Sequence, residues 1–234
     1  MVGHGSVKNR EDFLKKLSGK LGRNKIENEV KVPKWELRPQ YQILQYATQD
    51  DLVHVFKKAA EKINTNVVET TLQDLPLALK EEIGVGVPSI ISWSDPRFEE
   101  YKLNTVLNDY HHHTWDTDTG KKNIVAARDA DIGITFSDYT LAESATVVLT
   151  TSAEKGRSVS LLPKTYIALV PKSTIVPRLT QVTDKIEKNL ENQQPVSSCI
   201  KFISGPSNSA DIELSFVEGV HGPVKASYIV ISDC

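Results

Sequence analysis

Cys199-Ile200-Lys201-Phe202-Ile203-Ser204-Gly205-Pro206-Ser207-Asn208-Ser209-Ala210-Asp211-Ile212-Glu213-Leu214-Ser215-Phe216-Val217-Glu218-Gly219-Val220-His221-Gly222-Pro223 reads as strand, turn and helix. Ile200–Ile203 is a short apolar run suited to a strand, and Gly205-Pro206 breaks it. Ser207, Asn208 and Ser209 are good helix N-cap residues, and Asp211 and Glu213 follow in what would be a first turn. Gly219 and Gly222-Pro223 close the segment. In an open α/β sheet, such a corner is where small ligands bind.

Outward from this segment, strands and helices alternate. Glu11–Leu21 is a short amphipathic helix, with Phe13, Leu14, Leu17 and Leu21 on one face. Thr48, with Asp51 three residues on, starts a second helix whose stripe is Leu52, Val55, Phe56, Ala59, Ala60 and Ile63. Strands are expected at Asn66–Thr70, Val87–Trp93, Asp131–Phe136, Val147–Thr150, Tyr166–Val170 and Tyr228–Ile231. Helices are expected at Leu72–Ile83, from Asp95-Pro96, at Asn123–Asp129 and at Ile175–Leu190. This order predicts an α/β fold with a mostly parallel sheet covered on both faces. Residues 1–47 read as an N-terminal helix and extended arm, and 48–234 as the α/β domain. Trp35, Tyr41, Leu44 and Tyr46 on the arm dock either on the domain itself or on a second copy, which leaves room for a homo-oligomer.

A chain of 234 residues, 25% charged and 39% hydrophobic, is an ordinary globular protein. A net charge of -2 does not point to nucleic acid as a partner, and the excess of basic residues near the N-terminus reads as a solvated arm. No apolar run is long enough to span a membrane, and no signal core follows Met1, so a cytoplasmic location is expected. The two cysteines, Cys199 and Cys234, cannot supply the four thiolates that an iron–sulfur cluster normally takes. If the chain works in a redox pathway, it is therefore expected to hold no cofactor of its own, with the electrons carried elsewhere.

Several residues are candidates for chemistry. The Gly205–Asp211 stretch, with Ser207, Asn208 and Ser209, allows close backbone approach to an anion. The competing reading is a self-satisfied cap, Asn208 at N-cap with Asp211 at N3. Glu143, between two β-rich runs, is a nucleophile or general base, or else an exposed, ion-paired glutamate. Arg157, beside Gly156 and two serines, can clamp a carboxylate through its planar fork, or simply lie in solvent. His111-His112-His113 with Asp116 or Asp118 suggests a metal site only superficially. Three adjacent histidines cannot all face one ion from a strand, so polar strand-end positions are the expectation and no metal ligand is assigned. His221 either titrates usefully or bonds a carbonyl, and Cys199 reads as packing.

Three groups of residues carry a family resemblance. Ala130-Asp131-Ile132-Gly133-Ile134-Thr135 with Asp138-Tyr139-Thr140-Leu141-Ala142-Glu143 is the first. Gly156-Arg157-Ser158-Val159-Ser160-Leu161-Leu162-Pro163 and Ile167-Ala168-Leu169-Val170-Pro171 form the second, and Ile203–Glu213 with Gly219–Pro223 the third. Together they resemble the lactate utilisation protein C family, built on the lactate-utilisation (LUD) domain. Ser144-Ala145-Thr146 departs from the glycine-containing turn expected after the glutamate. The resemblance implies a three-layer α/β/α fold like that of the sugar-phosphate isomerase and coenzyme A transferase superfamily. It implies a role in L-lactate oxidation to pyruvate beside iron–sulfur partner proteins, as a non-redox subunit with a small carboxylate as a possible ligand. Alternatives are an independent coenzyme A transferase-like or isomerase-like enzyme using Glu143, and a ligand-sensing accessory protein.

Overall fold

The structure, a computed structural model, describes residues 8–23, 35–212 and 215–234, with the side chains of 210–216 outside the description. It divides into two units, Met1–Arg38 and Pro39–Cys234. The first unit holds helix α1 (Arg10–Lys20), as its apolar spacing predicts.

The second unit carries α2 (Gln49–Glu61), β1 (Asn66–Thr70), α3 (Leu75–Ile83), β2 (Ser89–Ser92), α4 (Arg97–Glu100) and α5 (Asn104–Leu107). Next come β3 (His111–Thr114), α6 (Lys121–Asp129), β4 (Ile132–Phe136), β5 (Tyr139–Leu141), β6 (Thr146–Thr150), β7 (Thr165–Pro171) and β8 (Ile175–Val176). It ends with α7 (Leu179–Glu191), β9 (Ile200–Ser204), β10 (Asn208–Ile212), β11 (Ser215–Glu218) and β12 (Lys225–Ile231). Thr48 and Asp51 cap α2 reciprocally, so this helix starts where its sequence signature places it.

Six strands form one parallel sheet in the order β1-β12-β7-β4-β2-β3. Its four inner strands, β12, β7, β4 and β2, are buried on both faces, and adjacent residues serve opposite layers. Ile91, Tyr166, Ala168, Tyr228 and Val230 face one side, packing with Leu52, Phe56 and Ala60 of α2, Ala127 of α6, and Val147 and Leu149. Ile90, Ile167, Leu169, Ile229 and Ile231 face the other, packing with Leu75 and Leu79 of α3, Phe98 of α4 and Leu107 of α5. This is the expected α/β fold.

The remaining strands depart from the expectation of a single sheet. A second sheet, β8-β5-β6-β9, lies between the parallel sheet and α7, whose Val182 meets Leu141, Val148 and Val176. β5 and β6 are joined by four residues, long enough for a hairpin and too short for a parallel crossover. Ile175–Leu190 is not one helix, because Pro177 ends a short strand and α7 starts only at Leu179.

The largest correction falls on the segment after Gly205. No helix starts there. Asn208–Ile212 and Ser215–Glu218 form an antiparallel hairpin, pairing Asn208 with Glu218 and Ser209 with Val217. The sequence carries the reason: Ala210, Ile212, Leu214 and Phe216 alternate with Ser209, Asp211, Glu213 and Ser215. That is the two-residue period of a strand, and it outweighs the cap-like residues in front of it. On the arm, Tyr41 donates to Asp184 at 3.0 Å and Leu44 packs on the main core, so these two dock on the domain itself.

Candidate functional site

Adjacent strands β2 and β4 send their connections in opposite directions. β2 leads through α4 and α5 to β3 on the sheet edge, whereas β4 leads through the second sheet to β7 on its other side. This is a topological switch point, and ligands of open α/β sheets bind outside the carboxyl ends of the strands there. Trp93, Ser94 and Asp95 leave the carboxyl end of β2, and Ser137 and Asp138 leave that of β4.

A charged cluster occupies this crevice. Asp95, with its side chain only 3% exposed, receives the Arg97 guanidinium on both oxygens, at 2.9 and 2.6 Å. Burial pushes the Asp95 pKa up. The hydrogen bonds and charge of Arg97, with that of Lys155, outweigh it and hold the carboxyl below its ordinary value. Lys155 bridges the two acids, 2.9 Å from Asp138 and 3.6 Å from Asp95. The other oxygen of Asp138 accepts from the Thr150 amide at 2.7 Å and hydroxyl at 2.6 Å. Arg97 also lies over the Phe136 ring, 4.3 Å from its centroid.

The segment that carries Lys155 is fastened from the sheet. The Trp93 indole donates to Gly156 O at 2.8 Å, the Trp115 indole to Ala153 O at 3.0 Å, and the Ser94 amide to Glu154 O at 3.3 Å. Gly156 is required here, since a Cβ would lie 2.2 Å from the Trp115 ring. Lys155 and Lys201 Nζ stand 5.3 and 5.4 Å from the Trp93 ring centroid. Lys201 also donates to Ser160 Oγ at 2.6 Å and Arg157 O at 3.3 Å. Two cavities border the cluster. One of 290 Å³ is lined by Trp93, Asp95, Asn104 and Thr114 among others, and one of 720 Å³ by Asp138, Thr150, Asn189 and Ser197 among others.

The residues singled out from the sequence fall in separate places. Arg157 is exposed, at the head of a short 3₁₀ turn, and its carbonyl joins it to Lys201. Glu143 is exposed in the β5–β6 turn and pairs with Arg178. That turn sits at the Thr146/Ser204 end of the second sheet, whereas Asp138 and Thr150 lie at its other end. A hydroxyl chain, Ser144 to Thr146 at 2.7 Å and Thr146 to Ser204 at 2.6 Å, leads from beside Glu143 to the residue before Gly205. Ala145 takes φ 47°, the left-handed region where a glycine was expected.

At the Gly205 corner, the backbone groups are engaged within the protein. Gly205 N–H donates to the Tyr228 hydroxyl at 2.8 Å, and Ser207 N–H to Pro223 O at 2.8 Å. Ser207 Oγ accepts from His221 N–H at 3.3 Å, and Asn208 Nδ2 donates to Pro206 O at 3.4 Å. Ser209 lies in β10, as does the Asp211 backbone, but the Asp211 side chain is outside the described residues. Gly205 itself has φ 70°, and a Cβ there would meet Thr65 Oγ1 at 2.6 Å.

The histidine run has structural partners. His112 Nε2 bonds Ser92 Oγ at 2.8 Å, and His113 Nε2 bonds Asn123 Oδ1 at 2.9 Å. Burial, with the neighbouring His113 charge, pushes His112 down to about 4. Among the described residues, no three histidine, cysteine, aspartate or glutamate side chains are placed to hold a metal ion. No described helix is long and apolar enough to cross a membrane.

Asp95, Arg97, Asp138, Lys155 and Lys201 were not singled out from sequence as site residues. For two of them the signal was position: Asp95 and Asp138 each follow within a few residues of the carboxyl end of a strand of the parallel sheet, where such sheets bind ligands.

Known proteins share this architecture. A chain from Deinococcus radiodurans, described as a DUF162 family protein, superposes with a TM-score of 0.57 at 17% identity, over 79% of this chain and 99% of that one. It shares the fold. "Lactate utilization protein C" of Bacillus subtilis (strain 168) is 51% identical over 98% of both chains, and its namesake of Geobacillus sp. (strain WCH70) is 48% identical over 100% of both. The LUD domain model matches residues 53–231, from the second turn of α2 to the last residue of β12. That span takes in every strand of both sheets, and with near-half identity along whole chains it makes this chain a member of the LUD domain family.

Proposed function

We propose that this chain is the non-redox subunit of a lactate utilisation system, acting in the oxidation of L-lactate to pyruvate beside iron–sulfur partner proteins. The observation that carries the reading is end-to-end identity of 45–51% to proteins named lactate utilization protein C. The division of labour is supported by composition, since two cysteines fall short of the four thiolates of a typical cluster. In this reading the chain supplies the charged crevice at the ends of β2 and β4, and electrons are carried on the partners.

The test is reconstitution. Purified iron–sulfur partners are assayed for L-lactate-dependent reduction of an artificial electron acceptor, with and without this chain. The reading expects turnover to depend on the chain, and deletion of its gene to abolish growth on L-lactate. Equal turnover without it, or unimpaired growth, overturns the reading.

A further inference from the structure

The first 38 residues differ in charge from the rest of the chain. They carry ten Lys and Arg against five Asp and Glu, whereas residues 39–234 carry eighteen against twenty-five. The net charges are +5 and -7, and the sign changes at the boundary between the two units. Exposed apolar side chains gather in the same part of the chain. Among the described residues, seven of the nineteen exposed large hydrophobics lie before Ala47. On α1, Phe13, Leu17 and Leu21 follow one another at single turns, and Lys16 and Lys20 border this stripe. No residue of α1 is buried. Beyond it, Trp35 is 66%, Leu37 80% and Tyr46 91% exposed.

We propose that this basic and apolar N-terminal segment is a dimer contact, which docks on the acidic α/β unit of a second copy while that copy returns the same contact. Charge decides the occupant. Every copy offers a unit of net charge -7 to a segment of +5, whereas two N-terminal segments repel each other. An anionic lipid surface also attracts a basic segment, but it repels the acidic unit joined to it. Attachment to the chain's own domain is already made by Tyr41, which donates to Asp184, and by Leu44 on the main core. Ile43 and Tyr46, interleaved with these two, remain exposed.

The composition suits an interface. Aromatic residues are enriched in interface cores, and Trp35 and Tyr46 present theirs to solvent. A closed twofold pair makes the contact twice. Each segment therefore supplies only half of the roughly 1,200–2,000 Å² that stable interfaces bury. Attraction between exposed charges is screened over about 10 Å at 0.1 M salt and about 3 Å at 1 M, so the dimer should weaken as salt rises.

Sedimentation velocity of the full chain at micromolar concentrations, in 0.1 M salt, tests the proposal without reference to lactate. A concentration-dependent shift to twice the chain mass is expected. Leu17→Asp, and separately Lys16→Glu with Lys20→Glu, should each raise the dissociation constant at least tenfold. These positions lie on a helix with no buried residue, so the α/β core is left intact. Lys121→Glu with Lys122→Glu makes the same charge change at exposed positions of α6 and should not weaken the dimer. A chain that stays monomeric, a dimer indifferent to both α1 variants, or one dissociated equally by the α6 variant overturns the proposal. A monomer that sediments with phosphatidylglycerol vesicles also overturns it, and assigns the segment to a lipid surface.

Discussion

Gly133→Ala tests how the scaffold holds the site. Gly133 sits in β4, every residue of which is buried. A Cβ on it would lie 1.9 Å from the Val159 carbonyl oxygen and 2.9 Å from Pro163 Cγ. The carbonyl would have to retreat by roughly 1 Å before reaching even the tightest separation that packed interiors tolerate. It cannot swing aside as a side chain would, because it is backbone of the turn Arg157–Ser160. Overpacking of this kind costs about 1–3 kcal/mol, and a backbone obstacle places the cost at the upper end. For a chain of this size each kcal/mol moves the melting point by about 2–4 °C, so a fall of roughly 6–12 °C is expected. The same displacement moves Ser160 Oγ and Arg157 O, the two acceptors of Lys201. Thermal melts of the variant and its parent, run side by side, measure the loss. Gly19→Ala is the control: nothing lies within 4 Å of its Cβ, and in α1 it should be neutral or stabilising by up to ~1 kcal/mol. A Gly133→Ala protein that melts within about 2 °C of its parent would refute the claim that close seating positions this turn.

Acid sensitivity follows from His112. Its folded-state pKa of about 4 lies below the ~6.5 of an unfolded histidine, so its contribution is complete above about 6.5 and is lost as the pH falls from there toward 4. Denaturant melts of His112→Gln across that window should show a shallower loss than the parent, and parallel curves would exclude His112 as the cause. Asp95 acts lower: its pKa is held below the ordinary value, so its contribution is present above about 3.9 and lost below that. Gly205→Ala places a Cβ 2.8 Å from Ile63 O at φ 70°, and should destabilise by about 1–3 kcal/mol in urea. A variant as stable as its parent would mean that the corner can relax. Glu143→Gln breaks an exposed pair with Arg178 and should change stability by no more than about 1 kcal/mol. Complementation of growth on L-lactate by that variant then separates a surface ion pair from a residue that does chemistry.

The parallel core was legible because its strands are short apolar runs and its helices carry caps. Thr48 and Asp51 mark the start of α2, and Ile132–Phe136 and Tyr166–Val170 read as buried strands in sequence and in space. Sheet membership was not legible in the same way. Val147–Thr150 looks like any buried strand, and only the four-residue link to β5 assigns it to a hairpin in the second sheet. After Gly205, two signals conflicted. Ser207, Asn208 and Ser209 favour a cap, whereas the alternation from Ser209 to Phe216 favours a strand, and the longer pattern won.

The site escaped a linear reading for a different reason. Trp93, Asp138, Lys155 with Arg157, and Lys201 come from four separate stretches, so no motif spacing joins them all. A search for backbone amides at a helix start leads instead to the Gly205 corner, where Tyr228 and Pro223 already occupy the amides of Gly205 and Ser207. The charged side chains gather instead at the switch point between β2 and β4. Residues 151–156 carry little apolar surface and, as an ordinary connection, would run loosely over the surface. They are instead fastened by two indole N–H groups, and Trp115 packs where a side chain on Gly156 would stand. Gly133 seats the following turn against β4 in the same manner. Two tryptophans and two glycines therefore fix Lys155 and Arg157 in place, although neither is needed to fill the core. Rigid support beneath partly exposed charged groups is what a binding site requires and a loop does not.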